Sequence, residues 1–239
     1  MILNTAGKNI KVKIERRNRK TIKISVESSE MLKVSAPSWV DNEQIEKFLY
    51  SKKNWISDAL ERKSETEKVE SDKYSTGNKI FLMGNAYIIN TVESSNTPNV
   101  SVMESGNTIY ILINPRTPGN IKKELVNDSM KNWYISHAKK HFPLRIRHFS
   151  NITGLYPEKI FYKFQKTRWG SCSGRKNINF NVNLIIAPES IIDYVILHEL
   201  CHLKHLDHSK NFWNLMEKHM PDYKNRRKWL KENGHLIKI

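Results

Sequence analysis

The stretch that decides the fold is residues 188–208, PESIIDYVILHELCHLKHLDH, which runs from Pro188 to His208 and holds four of the chain's nine histidines. Pro188 suits the first turn of a helix, and Glu189 places negative charge where the helix dipole favours it. At 100° per residue, with His198 as zero, His202 lies at 40°, so both imidazoles share one face and reach a common metal ion. Ile192, Ile196, Leu200 and Leu203 cluster on the opposite side as a core-facing stripe. Glu199 falls between the two faces, where a carboxylate flanks a metal without ligating it. His198-Glu199-Leu200-Cys201-His202 is thus an H-E-x-x-H pattern on an expected amphipathic helix over 188–206.

A third ligand comes from His205 or His208. On a continued helix His205 returns to the ligand face. However, i, i+4 and i+7 positions spread about 10 Å along the axis, and a tetrahedral ion prefers a ligand from another direction. If the helix ends near Leu206 and the chain turns at Asp207, His208 supplies that ligand, and Ser209 is free to cap the next helix. Three protein ligands leave one position for water, the arrangement of a catalytic zinc site, with Glu199 as general base. Imidazole also suits nickel, copper and iron. A purely structural zinc is the competing reading, and it leaves Glu199 idle.

Around this core the chain reads as α+β. Alternation at Ile10, Val12 and Ile14, at Ile22, Ile24 and Val26, and at Leu32 and Val34 predicts antiparallel strands. Asp41 is the expected N-cap of a helix over 41–62, followed by a solvated charged stretch to Lys73. Residues 79–113 return to four strands. A helix over 121–142 is expected to break at Pro143, with a second ending near Gly154. A strand at 160–164, a loop at 167–176, a strand at 178–184 and helices at 210–219 and 222–232 complete the reading, with no internal repeat. The expected division is a β-rich part, 1–116, and a catalytic part, 117–239, forming one compact unit.

Composition narrows the class further. The 239 residues carry 40 basic and 24 acidic side chains, net +16. Residues 121–239 hold 22 basic and 10 acidic of these, so the positive field sits on the half with the histidines. No apolar run approaches a membrane span, the first twenty residues lack a signal-type apolar core, and two cysteines make no disulfide framework, so the expectation is a cytoplasmic protein. A positive field favours anionic partners or merely solubilises. The substrate expectation is therefore a polypeptide or an anionic small molecule, the latter as in a metal-dependent nucleotide pyrophosphatase. A nucleic-acid contact through the basic C-terminal half is the further alternative.

Weaker candidates surround the motif. Arg168 is a candidate substrate-binding residue, holding an anion or an oxyanion, or else a stacked partner of Trp169. Asn177, Asn179, Asn181 and Asn183 alternate with apolar residues and line one strand face with amides, either at a peptide-pairing edge or on a solvated surface. Cys201 reads as a buried thiol and Cys172 as loop packing. Phe212, Trp213 and Met216 read as core beneath the third ligand. Lys224, Arg226, Arg227, Lys228 and Lys231 form a phosphate-contacting or simply solvated helix face.

Residues 166–232 resemble the YgjP-like metal-dependent hydrolases, zinc metallopeptidases related to the SprT-like and wider zincin groups. The resemblance rests on Lys166 to Cys172, Asn177 to Asn181, Ala187-Pro188, His198 through Ser209, Phe212-Trp213, Pro221 to Tyr223 and Arg227 to Leu230. Lys20-Thr21-Ile22 and Ser35-Ala36-Pro37 extend it into the N-terminal part. It implies a zincin-like catalytic part, zinc held by His198, His202 and His208, and Glu199 as catalytic base.

Overall fold

The computed structural model describes residues 1–5 and 8–239, and the chain divides into two compact units, Met1–Lys73 and Tyr74–Ile239. In the first, β1 (Ile2–Thr5), β2 (Lys8–Arg16), β3 (Lys23–Ser28) and β4 (Met31–Ala36) form one sheet in the order β1-β2-β4-β3. The outer pairs are antiparallel, as the alternation implies, but the central pair β2/β4 is parallel. Leu3, Ile10, Leu32 and Val34 face one core with Ile45, Leu49, Ile56 and Leu60 from the helices. The helix expected over 41–62 is two: α1 (Asn42–Ser51) and α2 (Lys53–Asp72), joined at Lys52, whose φ of −106° interrupts the first. Asp41 caps α1 as expected. It accepts the Gln44 N–H at 2.7 Å while its own N–H donates to the Gln44 side chain at 3.2 Å. The second helix runs ten residues past the expected end at Arg62, through a Lys- and Glu-rich stretch whose propensity sustains it.

The second unit repeats that strand pattern. β5 (Lys79–Leu82), β6 (Asn85–Glu93), β7 (Val100–Ser105) and β8 (Thr108–Ile113) pair in the order β5-β6-β8-β7, again antiparallel, parallel, antiparallel. A repeat of topology is therefore present where the sequence shows no repeat of residues. Ile80, Ile89, Ile109 and Ile111 share a continuous core with the helices that follow, so the hydrophobic core of this unit runs across position 116 without a break.

The break expected at Pro143 is absent: α3 is one helix, Gly119–Thr153, with Pro143 inside it. Met130, Tyr134, Ala138, Phe142, Ile146 and Ser150 are all buried at a constant spacing of four. The buried stripe stays in phase on both sides of the proline, and its packing outweighs the cost of about 3 kcal/mol that proline imposes on a helix interior. Gly154 ends the helix in the left-handed conformation, its N–H donating to the Ser150 carbonyl at 2.8 Å.

Next come β9 (Lys159–Lys163), β10 (Gly170–Cys172) and β11 (Asn177–Asn181), which form a three-stranded sheet in the order β10-β11-β9. A short strand thus occupies part of the expected loop 167–176. The strand expected at 178–184 turns into a 3-10 segment at Val182–Ile186. The last elements are α4 (Glu189–Cys201), α5 (Lys210–His219) and α6 (Tyr223–Asn233).

Candidate metal centre

The α4 helix carries the motif. It is not amphipathic as expected: Ile191 to Leu197 and Glu199 to Cys201 are all buried, which makes it the central rod of the second unit. Three contacts fix its N-terminal end. The Met83 and Gly84 N–H groups donate to the carbonyls of Ile185 and Ile186 at 2.7 and 3.1 Å. Gly84, at φ +79°, lies so close that a Cβ there would meet the Pro188 Cα at 3.0 Å. From α3, Arg145 clamps Asp193 with two hydrogen bonds of 2.6 Å.

The helix ends at Cys201, five residues before the expected Leu206, and this early end shapes the site. His202 is the C-cap, still in helical conformation, its N–H donating to the His198 carbonyl at 3.3 Å. The chain then tightens, with Leu203 bonded to Leu200 and both Lys204 and His205 bonded to Cys201. That turn takes the His205 side chain off the ligand face and brings its carbonyl to the His202 Nδ1 at 2.9 Å. The Nδ1–H is thereby engaged, and the Nε2 lone pair points into the site. His208 enters from the following loop. His202 Nε2 lies 3.2 Å and His208 Nε2 3.0 Å from His198 Nε2.

Phe212 on α5 lies beneath all three rings, with centroids at 4.9, 4.6 and 4.9 Å from those of His198, His202 and His208. Trp213 stacks on His208 at 5.6 Å and on Tyr223 at 5.3 Å, and the Arg227 guanidinium lies 4.8 Å from the Trp213 ring centre. Met216 is buried in the same core. Ser209 is the N-cap of α5 by position but makes no side-chain capping bond.

Burial dominates the electrostatics of the site. Burial, helped by the neighbouring imidazoles and Arg227, pushes His198 down to about 3, and burial lowers His202 as well. Burial pushes the Glu199 carboxyl up to about 8, against the pull of Arg168. His198 Nδ1 and Glu199 Oε2 are buried with no hydrogen-bond partner. Three imidazole nitrogens converge, all within 4.8 Å of one another, and bonds of about 2.0–2.1 Å at tetrahedral angles would set such nitrogens about 3.3 Å apart, close to the two distances measured from His198. The donor set therefore fits a borderline divalent cation.

The remaining expected residues fall as follows. Arg168 is exposed on the loop before β10. Its backbone carbonyl accepts from Asn181 Nδ2 at 2.8 Å. The asparagine-bearing β11 is the central strand of its sheet, so its backbone is engaged on both sides and β10 holds the edge instead. Asn181 is not a solvated amide. It is buried, and its side chain donates to the Gln165 and Arg168 carbonyls and accepts from the Gln165 and Asn183 N–H groups, fastening the loop that carries Arg168. Cys201 is fully buried, with its thiol pushed up to about 12. Cys172 is half-buried and reaches about 11, raised by burial and by Glu199. Of the basic helix residues, Arg226 bonds Asp222 and the Ser190 carbonyl, and Arg227 joins the aromatic stack.

Three contributors escape sequence reasoning. Gly170 touches Glu199: a Cβ there would lie 2.6 Å from the Glu199 Cγ and Oε1. Tyr194, one turn before His198, lies 5.9 Å from its ring. The His205 carbonyl orients His202, a main-chain role that no side-chain pattern encodes. Only Tyr194 leaves a signal, its i, i+4 spacing to His198.

A buried helix carrying paired histidines, a third histidine from a loop and a carboxylate beside them define the metal-dependent hydrolase class. The chain belongs to the YgjP-like family, whose metallopeptidase-domain model matches residues 20–233. No curated protein matches. Among solved structures, the crystal structure of the metallopeptidase zymogen of Pyrococcus abyssi abylysin is similar at 24% identity and a TM-score of 0.35, over 38% of this chain and 93% of that one. No helix among the described residues is long and apolar enough to cross a membrane.

Proposed function

We propose that the protein is a zinc-dependent peptidase that cleaves extended polypeptides. His198, His202 and His208 hold the ion, and Glu199 is the general base and then acid. The observation that carries this reading is the convergence of three imidazole nitrogens beside a buried, unpartnered carboxylate. Zinc, when bound, supplies a Lewis acid that polarises a carbonyl and acidifies water. Glu199 takes the water proton on its carboxylate and delivers it to the leaving amine. The three histidines hold position, His202 through the His205 carbonyl and His208 through its stack on Trp213.

Substrate placement follows from β10. It is an edge strand whose first residue, Gly170, abuts Glu199, so an extended peptide pairing with that edge presents its backbone to the base. The absence of a side chain at Gly170 leaves room for this approach. Arg168, two residues upstream, is a positive group whose charge acts on the Glu199 carboxyl.

The test is Glu199→Gln. With zinc content unchanged, hydrolysis of an unstructured polypeptide is expected to fall by about 10²–10⁴-fold. Undiminished hydrolysis removes Glu199 as the base, and cleavage of nucleoside triphosphates in place of polypeptides moves the reading to phosphoanhydride chemistry.

A further inference from the structure

A basin of about 950 Å³ opens beside Trp169. Lys131 from α3, Lys166 and Arg168 from the loop before β10, and Lys231 and Lys238 from the C-terminal segment line it together with Ile239, and among the described residues no acidic side chain does. Like charges gathered on one concave surface raise its potential and favour an anionic occupant. Lys131 is paired with Asp128 at 3.3 Å, whereas Lys166, Arg168 and Lys231 form no ion pair with a described carboxylate. The hydrogen bonds of Asn181 to the Gln165 and Arg168 carbonyls fasten the backbone of the loop bearing Lys166 and Arg168, so the loop itself needs no ordering when a ligand arrives.

The basin is continuous with the catalytic residues along the chain. Arg168 lines it and also pulls on the Glu199 carboxyl. Trp169 lines it as well, and the next residue, Gly170, abuts Glu199. A polypeptide extended along β10 from Glu199 advances about 3.3 Å per residue. A substrate that continues past Gly170 along this edge runs toward the loop that carries Lys166 and Arg168, and so toward the basin.

Resting on the peptidase reading above, we propose that this basin is a substrate subsite for acidic side chains, which makes polypeptides carrying Asp or Glu on one flank of the scissile bond the preferred substrates. Nucleic acid fits less well. Its phosphates need cations strung along a track, whereas these converge on one basin beside a strand edge, which pairs with peptide backbone. Leu230 and Ile237 add apolar wall for the stems of neighbouring side chains.

The test separates binding from cleavage. Fluorescence anisotropy on the metal-free full chain compares a peptide carrying a Glu cluster, its Gln counterpart and a single-stranded oligonucleotide. The Glu peptide is expected to bind about tenfold more tightly than the Gln peptide, with the advantage shrinking as salt rises. It is also expected to disappear in Lys166→Glu/Lys231→Glu and to weaken in the milder Lys166→Gln/Lys231→Gln. Equal binding of the two peptides overturns the proposal. So does tighter binding of the oligonucleotide that the same variants abolish. In the zinc-loaded chain, the ratio of kcat/KM for the two peptides is expected near tenfold and to collapse toward one in the variants. Cleavage of both peptides at equal rates sinks the acidic subsite and leaves the peptidase. Selective binding of the Glu peptide with no cleavage of either sinks the peptidase and leaves an acidic-peptide basin.

Discussion

Gly170→Ala places one methyl group against the proposed base. The added Cβ would lie 2.6 Å from Glu199 Cγ and Oε1 and 2.8 Å from Cδ. Ordinary carbon contacts lie at about 3.5–4.0 Å, so the carboxylate or the strand must move by about 1 Å. Glu199 is only 5% exposed and has little room to retreat. Gly170 is in turn held by antiparallel pairing with Phe180 on β11. The φ of Gly170 is not in the left-handed region, so alanine meets no backbone penalty and the effect is confined to the contact. A displacement of about 1 Å in a reacting group costs about 10²-fold, and that is the expected fall in kcat/KM on a peptide substrate. Overpacking costs about 1–3 kcal/mol, which for a unit of this size lowers Tm by about 2–10 °C. The three atoms nearest the added methyl all belong to Glu199, so the disturbance falls first on the base and zinc content is expected to stay at the parent level. Parent kcat/KM in a folded, zinc-loaded Gly170→Ala chain would mean that the base does not lie where the contact puts it.

Other perturbations reach the site from its supports. Arg145→Met leaves Asp193 buried without its two 2.6 Å bonds; with the arginine partly exposed, the expected loss is about 2–3 kcal/mol, read as a lower urea midpoint, and an unchanged midpoint contradicts the clamp. Asn181→Leu removes three hydrogen bonds to the 165–168 loop and one to the Asn183 N–H, and activity is expected to fall more than zinc content, a split that equal losses of both would deny. Burial lowers His137, His141, His198 and His202 below the ordinary histidine value, so the folded chain binds fewer protons than the unfolded one as pH drops below about 6.5, and stability falls with it. Glu199 has the opposite sign, being raised to about 8. The expected result is therefore a lower urea midpoint at pH 5 than at pH 7 in metal-free Glu199→Gln, and an equal or higher midpoint at pH 5 counts against it.

The parts legible in sequence are those with local signals. Asp41 announces a helix start, the residues of 79–113 read as four strands, and His198 and His202 declare their shared face by spacing alone, with Glu199 at its border. The choice of His208 over His205 also follows from geometry, although the helix that decides it ends five residues earlier than expected. The illegible parts are set by tertiary packing. Pro143 is a breaker by propensity, yet the stripe from Met130 to Ser150 keeps α3 whole. Which strand holds the sheet edge depends on parallel pairing between β11 and β9, which no period-two pattern encodes. Gly170 carries no chemistry in sequence and matters only because Glu199 fills the space where its side chain would be.

The most direct test of the central claim is zinc stoichiometry in the full chain purified without chelator or histidine tag, measured alongside His208→Ala and His205→Ala. About one zinc per parent chain is expected. Retention is expected in His205→Ala, which keeps the backbone carbonyl that orients His202, and loss in His208→Ala. A parent chain that takes up no zinc, or a pair in which His205→Ala loses the metal and His208→Ala keeps it, would contradict the three-histidine centre.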